Sequence, residues 1–397
     1  MAIETDVSEL RARQKAKAKR NFLIKLFIVI IVAVIAVVAV FTKNLWYPYL
    51  DGILKKVPST ANVGIGGNAV LAEGEFPLSI NNGSDYQMKA MDDYLAIIDD
   101  SHFFVYDTDG SEVKKVQHSY SNPILTVSDK KALIYDLGGN GFSLESKYKS
   151  LYSLSCENTI LLAELSTNDC VAVVTKSDKY LSLLDVYNAK GAKIFTYKSY
   201  DGRIIDVTFL SDNSGVILTI LSASDGMIKS ELLKLKFDSL SAEWRSDSTS
   251  ALAVDASIDE NNSIVLFGDT KCSYVNDSGI ILAEHEYGDD LLDYASSSEL
   301  AAVLLENSAL RKYTLMLVSS NNCTEAVYAE LPEAARHIAV KDKMVYVLTG
   351  SGIYTYNNMG LEVSGVNLTD SYDNFCPING YMFLLGYDEI NRIDFSG

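Results

Sequence analysis

Four segments of the chain share one pattern, apolar-Asn/Asp-x-x-Gly-x-x-apolar: Tyr106 to Val113, Tyr187 to Ile194, Val275 to Leu282 and Tyr356 to Val363. In such a segment the Asn or Asp side chain starts a turn by bonding to nearby backbone. The glycine then supplies the positive φ with which the next strand leaves. Gly110, Gly191, Gly279 and Gly360 are spaced 81, 88 and 81 residues apart. Half of that interval is about 40–44 residues, the length of one four-stranded propeller blade.

The sequence between the turns fits the same unit. From residue 74 onward it breaks into short apolar or alternating runs bounded by turn residues, such as LAIID (95–99), CVAVVT (170–175), SIVLFG (263–268) and MVYVLT (344–349). These runs are rich in β-branched, aromatic and Leu residues, and few stretches show a helical period. Less regular units fill the gaps around 124–150, 204–245 and 291–329. The 324 residues from 74 to 397 hold roughly eight blades of about 40. The expected fold is therefore all-β: an eight-bladed, alternatively seven-bladed, propeller of four-stranded antiparallel blades. The last stretch, 372–397, has room for only three strands. Glu75-Phe-Pro-Leu-Ser-Ile80 is a spare strand that completes this blade and ties the two ends of the chain together.

One transmembrane helix is expected before the propeller. Leu26 to Phe41 is sixteen residues without a charge, and extension back to Phe22 gives about 30 Å of helix, the thickness of a bilayer core. Trp46, Tyr47 and Tyr49 form an interfacial aromatic cluster. Arg11, Arg13, Lys15, Lys17, Lys19 and Arg20 precede the span, which places the N-terminus in the cytoplasm. The organisation read from these features is a cytoplasmic basic tail (1–21), a signal-anchor helix (22–45), a glycine-containing linker (46–73) and an extracytoplasmic propeller (74–397) at the plasma membrane. Charge divides the same way. Residues 1–57 carry 10 Lys/Arg against 4 Asp/Glu, and the rest carries 24 against 48. An acidic body argues against nucleic acid as a partner, since phosphate neutralisation needs basic surface.

Three stretches carry a resemblance: Glu75-Phe-Pro-Leu-Ser-Ile80, Tyr120-Ser-Asn-Pro-Ile-Leu125 and Tyr135-Asp-Leu-Gly-Gly-Asn-Gly-Phe142. With the basic tail and span, they make the chain resemble an uncharacterised family, a domain of unknown function, of single-span propeller-bearing membrane proteins from Gram-positive bacteria. The resemblance implies an extracytoplasmic propeller and brings no established activity or catalytic residues. The strand pattern alone is shared with WD40-like and quinoprotein-like propellers. The WD dipeptide and the repeated Trp of quinoprotein dehydrogenases are absent, with only 2 Trp in the chain.

Motifs of chemistry are sparse. His102, His118, His285 and His337 fit no metal-ligand spacing and read as strand or loop residues. No nucleophile elbow or phosphate loop is present, so no catalytic residue, metal or cofactor is assigned. The five cysteines form no C-x-x-C. A Cys156–Cys170 disulfide is left open beside the reading of buried free thiols. Asp107, Asp109 and Glu112 offer about three oxygens where calcium takes roughly six to eight, and the repeated turn accounts for them. Asp289, Asp290 and Asp293 read as a solvated loop. Tyr120, Asn122, Asp136 and Asn140 are the candidate binding residues, because loops on a rigid disc present such groups. The competing reading is that they only build awkward turns.

Two functions follow. The first is a membrane-anchored interaction scaffold that docks a protein or cell-envelope partner and touches the lipid bilayer through its N-terminal helix. The alternative is a ligand or carbohydrate receptor, or an enzyme, with its site at the channel mouth. A deep pocket with converging carboxylates would favour the alternative. Shallow apolar faces would favour the scaffold, and these are what the sequence leads one to expect.

Overall fold

A computed structural model describes residues 67–69, 71, 74–80, 85–224, 226–239 and 241–395. The basic tail, the apolar segment 22–45 and most of the linker lie outside them. Among the described residues there is no helix, and the strands form eight sheets in a ring.

The burial of each strand explains its composition. The second strand of a blade is covered on both faces by its neighbours, so it reads as an unbroken apolar run. Val171–Thr175 and Ile264–Gly268 are buried at every position. The outermost strands have one face in solvent, and there the alternation appears. Ile281–Glu286 alternates half-buried and exposed along its length.

In chain order, blade 1 spans Gln87–Met91 to Glu112–Gln117, blade 2 Pro123–Ser128 to Ser150–Ser155, and blade 3 Ile160–Leu165 to Lys193–Ser199. Blade 4 spans Arg203–Phe209 to Trp244–Arg245, blade 5 Ala253–Ile258 to Ile281–Glu286, and blade 6 Asp290–Ser296 to Asn322–Leu331. Blade 7 spans Ala335–Lys341 to Glu362–Asn367, with Gly67–Asn68 added in parallel on its outer edge. Blade 8 takes three strands from Asn374–Ile378, Tyr381–Leu385 and Glu389–Asp394, and its fourth from Leu78–Ser79. The count is therefore eight, not seven, and the chain closes as the sequence predicts: Leu78 pairs with Ile390 and Ser79 with Glu389.

Each of the eight apolar clusters spans two adjacent blades. The seam is packed like the rest, with Phe383, Leu385 and Ile390 of blade 8 against Met88, Leu95 and Ile97 of blade 1. The Phe76 ring packs tilted against Phe383 with centroids 5.7 Å apart, and the Arg392 guanidinium lies 4.4 Å from the Tyr381 ring while donating to the Thr108 carbonyl.

The repeated turn is the third hairpin of blades 1, 3, 5 and 7. In blade 3 the Asn188 side-chain oxygen accepts N–H groups of Lys190 at 3.0 Å and Ala192 at 3.1 Å, and Gly191 has φ +76°. Asp107 sits likewise in blade 1, accepting from Asp109 and Ser111, so its carboxylate serves the turn. The five cysteines are free. Burial pushes the Cys272 and Cys376 thiols up to about 12.

Candidate functional site

The innermost strands of blades 3 to 7 each carry one extra residue at the same place: Leu161, Ile205, Val254, Leu292 and Arg336. A bulge re-aims the residue that follows it and leaves an amide without a ladder partner. The following residues are Leu162, Asp206, Asp255, Asp293 and His337, so three carboxyls and an imidazole occupy equivalent positions on consecutive blades.

Some of their oxygens serve the fold. Asp206 accepts the Ala256 N–H from the next blade at 3.2 Å, and Asp293 accepts the Ile338 N–H of blade 7 at 2.8 Å. Asp293 also meets His337 Nδ1 at 2.6 Å. Asp255 accepts the N–H of Ala256 at 2.9 Å, and the Tyr294 hydroxyl of blade 6 hydrogen-bonds to it. Asp293 is thus an inner-strand residue stitching blades 6 and 7, not part of the solvated loop expected from its neighbours. Asp289 also has a partner, the Asn307 amide at 2.6 Å.

Glu164 lies two residues beyond Leu162, on the same side of its strand and deeper along it. Glu164, Asp206 and Asp255 converge on a central pocket of about 630 Å³. All three are half-buried by surface area, reachable from the lumen yet ringed by protein. That enclosure penalises their ionised forms. Burial, reinforced by the Asp206 charge, holds Glu164 near 8; burial and the Asp255 charge hold Asp206 near 7; burial holds Asp255 near 6. Among the described residues of the lining, Lys89 of blade 1 is the one cation. The lining continues to the first hairpins of blades 3, 4 and 5 through Ser166, Thr167, Ser211, Asn213, Asp259 and Glu260. The pocket therefore opens on the face that bears those hairpins.

The expectation of shallow faces is overturned. Bulges in successive blades gather carboxyls at one depth, which runs scattered through a sequence do not reveal. A trace was present: Ile204-Ile-Asp206-Val, Ala253-Val-Asp255-Ala and Leu291-Leu-Asp293-Tyr share an apolar-apolar-Asp-apolar form. A polar residue in an alternating strand normally faces water, so the trace reads as ordinary patterning.

Tyr120, Asn122, Asp136 and Asn140 come together at blade 2, on the opposite face of the disc. There the entry to the blade meets its second hairpin. Asp136 accepts the N–H groups of Ser121 and Asn122, both at 2.9 Å, and the Cys156 N–H donates to the Asn140 carbonyl at 2.8 Å. The Tyr120 ring stacks 5.4 Å from His118 and fills the space over Gly141, where a Cβ would lie 2.8 Å from it. The Asp136 carboxylate and the Asn140 carbonyl thus knit turns there.

A family model described as a family of unknown function (DUF5711) matches residues 75–395. A search of curated proteins finds no match. Among solved structures, BamB from Moraxella catarrhalis is similar with a TM-score of 0.53 and 11% identity, over 80% of this chain and 100% of that one. Saccharomyces cerevisiae Sqt1 is similar with a TM-score of 0.63 and 9% identity, over 84% and 100%. The C-terminal WD40 domain of Sif2 gives 0.62 and 10%, over 84% and 100%. At such identities the likeness is one of fold.

Proposed function

Because the chain belongs to the family of unknown function DUF5711, whose description carries no activity, we propose a function from its architecture: a membrane-anchored extracytoplasmic propeller that acts by binding. In this reading the segment 22–45 spans the plasma membrane with residues 1–21 in the cytoplasm. The disc outside is an interaction scaffold whose recognition face is the one where the central pocket opens. The apolar run and the basic residues before it support the topology. One observation carries the choice of face: inner strands and first hairpins of several blades converge there on one open pocket, while on the opposite face the Asp136 carboxylate and the Asn140 carbonyl are taken up by their own turns. The converging carboxyls favour a ligand-receiving pocket over a merely flat docking surface.

Photo-crosslinking residues placed in the cell at exposed Thr167, Ser211 or Glu260, and in parallel at Ser121 or Asn140, test this. Partner adducts should form from the first set. Adducts from the second set alone would assign recognition to the other face.

A further inference from the structure

Resting on that reading and deepening it, we infer that the pocket receives an alkylammonium group, with Glu164 as its principal carboxylate. Among its described residues the lining carries Glu164, Asp206, Asp255, Asp259 and Glu260 against Lys89. Its field selects a cation. Among the described residues no three His, Cys, Asp or Glu side chains come together to hold a metal ion. The carboxyls line the pocket from blades 3, 4 and 5 without closing into such a group, which suits an organic cation. Val127 and Ile258, both half-buried, supply an aliphatic wall for a methylene stem. Phe209, the one aromatic among the described lining residues, is buried in the core between blades 3 and 4.

Glu164 is the acceptor with most capacity left. Asp206 and Asp255 already bond across blades, whereas the Glu164 carboxyl takes the N–H of its neighbour Leu165. It faces Asp206 from blade 4, Asp255 from blade 5 and Lys89 from blade 1. In the empty pocket a proton neutralises this group. An arriving ammonium replaces that proton, so binding releases it to solvent. The ammonium has two sources, a free polyamine or a lysine of a partner protein.

The full chain in detergent micelles is titrated near neutral pH with spermidine, with a capped peptide bearing one lysine, and with that peptide's Nε-acetyl form. Calorimetry in two buffers of different ionisation enthalpy reads protons as well as affinity. Saturable amine binding with about one proton released per site supports the inference. So does a Glu164→Gln variant that binds about ten- to hundredfold more weakly, the ratio an ionic hydrogen bond supplies, while Ser121→Ala on the other face binds as the native chain does. Spermidine alone binding assigns the free polyamine. Lysine-peptide binding lost on acetylation assigns a partner segment. The unfolding midpoint of Glu164→Gln shows that its lost affinity is not lost folding. Binding of neither amine, affinity indifferent to Glu164→Gln, or equal displacement by Ca²⁺ overturns the inference. Crosslinks from the pocket face without amine binding would remove the cation and leave the recognition face. Amine binding without those crosslinks would do the reverse.

Discussion

Glu164, Asp206 and Asp255 should make the propeller less stable as pH rises through neutrality, and Glu164→Gln should flatten that fall. The sign follows from proton uptake. These carboxyls titrate near 8, 7 and 6 in the folded chain against ordinary values of 4.5, 3.8 and 3.8, so the folded state binds protons that the unfolded state has lost. Their contribution is fully favourable below the unfolded values and disappears as pH climbs through the folded ones. At pH 7 Glu164 is about nine-tenths protonated, Asp206 about half and Asp255 about one-tenth. This uptake of about 1.5 protons corresponds to about 2 kcal/mol per pH unit. The channel is open to solvent, and screening reduces that to about 1 kcal/mol per unit. Groups with the opposite sign act elsewhere. Asp212, held low by the hydroxyl and N–H of Ser214, loses its contribution only as pH falls through the acid range.

Unfolding entropy for a domain of this size makes 1 kcal/mol worth about 1.5 °C. Thermal unfolding of the detergent-solubilised chain at fixed ionic strength should therefore show its midpoint dropping by about 4 °C from about pH 6 to about pH 8.5. Glu164→Gln should melt higher than the native chain at the alkaline end, with a shallower slope. Glu260→Gln, the same charge change at an exposed rim position, should leave the slope as it is and separate the local effect from general repulsion in an acidic protein. A midpoint that rises with pH, or a Glu164→Gln variant that is destabilised with an unchanged slope, would mean that Glu164 is ionised and paired in the fold, and the reasoning would fail.

Gly279→Ala places a Cβ 2.6 Å from the Trp244 ring at φ +80°, and should cost about 2–4 kcal/mol in chemical denaturation. Gly138→Ala, at φ +83° with open space around it, should cost only the backbone share of about 1–2 kcal/mol. Lys114→Met strands the Glu145 carboxylate, whose ion pair at 2.6 Å lies between side chains 6% and 4% exposed. A loss of about 3–5 kcal/mol is expected, with most of it regained in Lys114→Met/Glu145→Leu. Protease added to intact cells should cut the propeller and spare an epitope at residues 1–21; protection of the propeller would reverse the proposed topology.

The fold was legible because its signals are local. Asn188 and Gly191 declare their turn within five residues, and the three-strand remainder at the C-terminus with a spare strand at Glu75–Ile80 declares the closure by counting. The site was not legible, because its residues meet only through the ring. Asp206 and Asp255 touch one pocket because two bulges fall at the same height in adjacent blades, and the short apolar-apolar-Asp-apolar form they share does not by itself mark that height. Asp293 shows the converse error. Beside Asp289 and Asp290 it looks like part of an acidic loop, yet the bulge at Leu292 turns it inward to His337.

The glycine interval also explains why the pocket is lopsided. The third hairpin of each odd blade lies against the outer strand of the blade before it. A Cβ on Gly110 would meet Phe76 of blade 8, on Gly191 Tyr152 of blade 2, on Gly279 Trp244 of blade 4, and on Gly360 Ala329 of blade 6. Two blades are therefore the repeating unit, and one unit, blades 8 and 1, contains the joined termini. A strict two-blade repeat would place the same residue after every second bulge. The chain instead has Leu162, Asp255 and His337 in blades 3, 5 and 7, while Asp206 and Asp293 agree in blades 4 and 6. The scaffold positions obey the repeat and the channel positions depart from it. Grouping half-buried carboxyls costs stability once they ionise, so in the proposed reading their placement on one side of the ring answers to what enters the pocket.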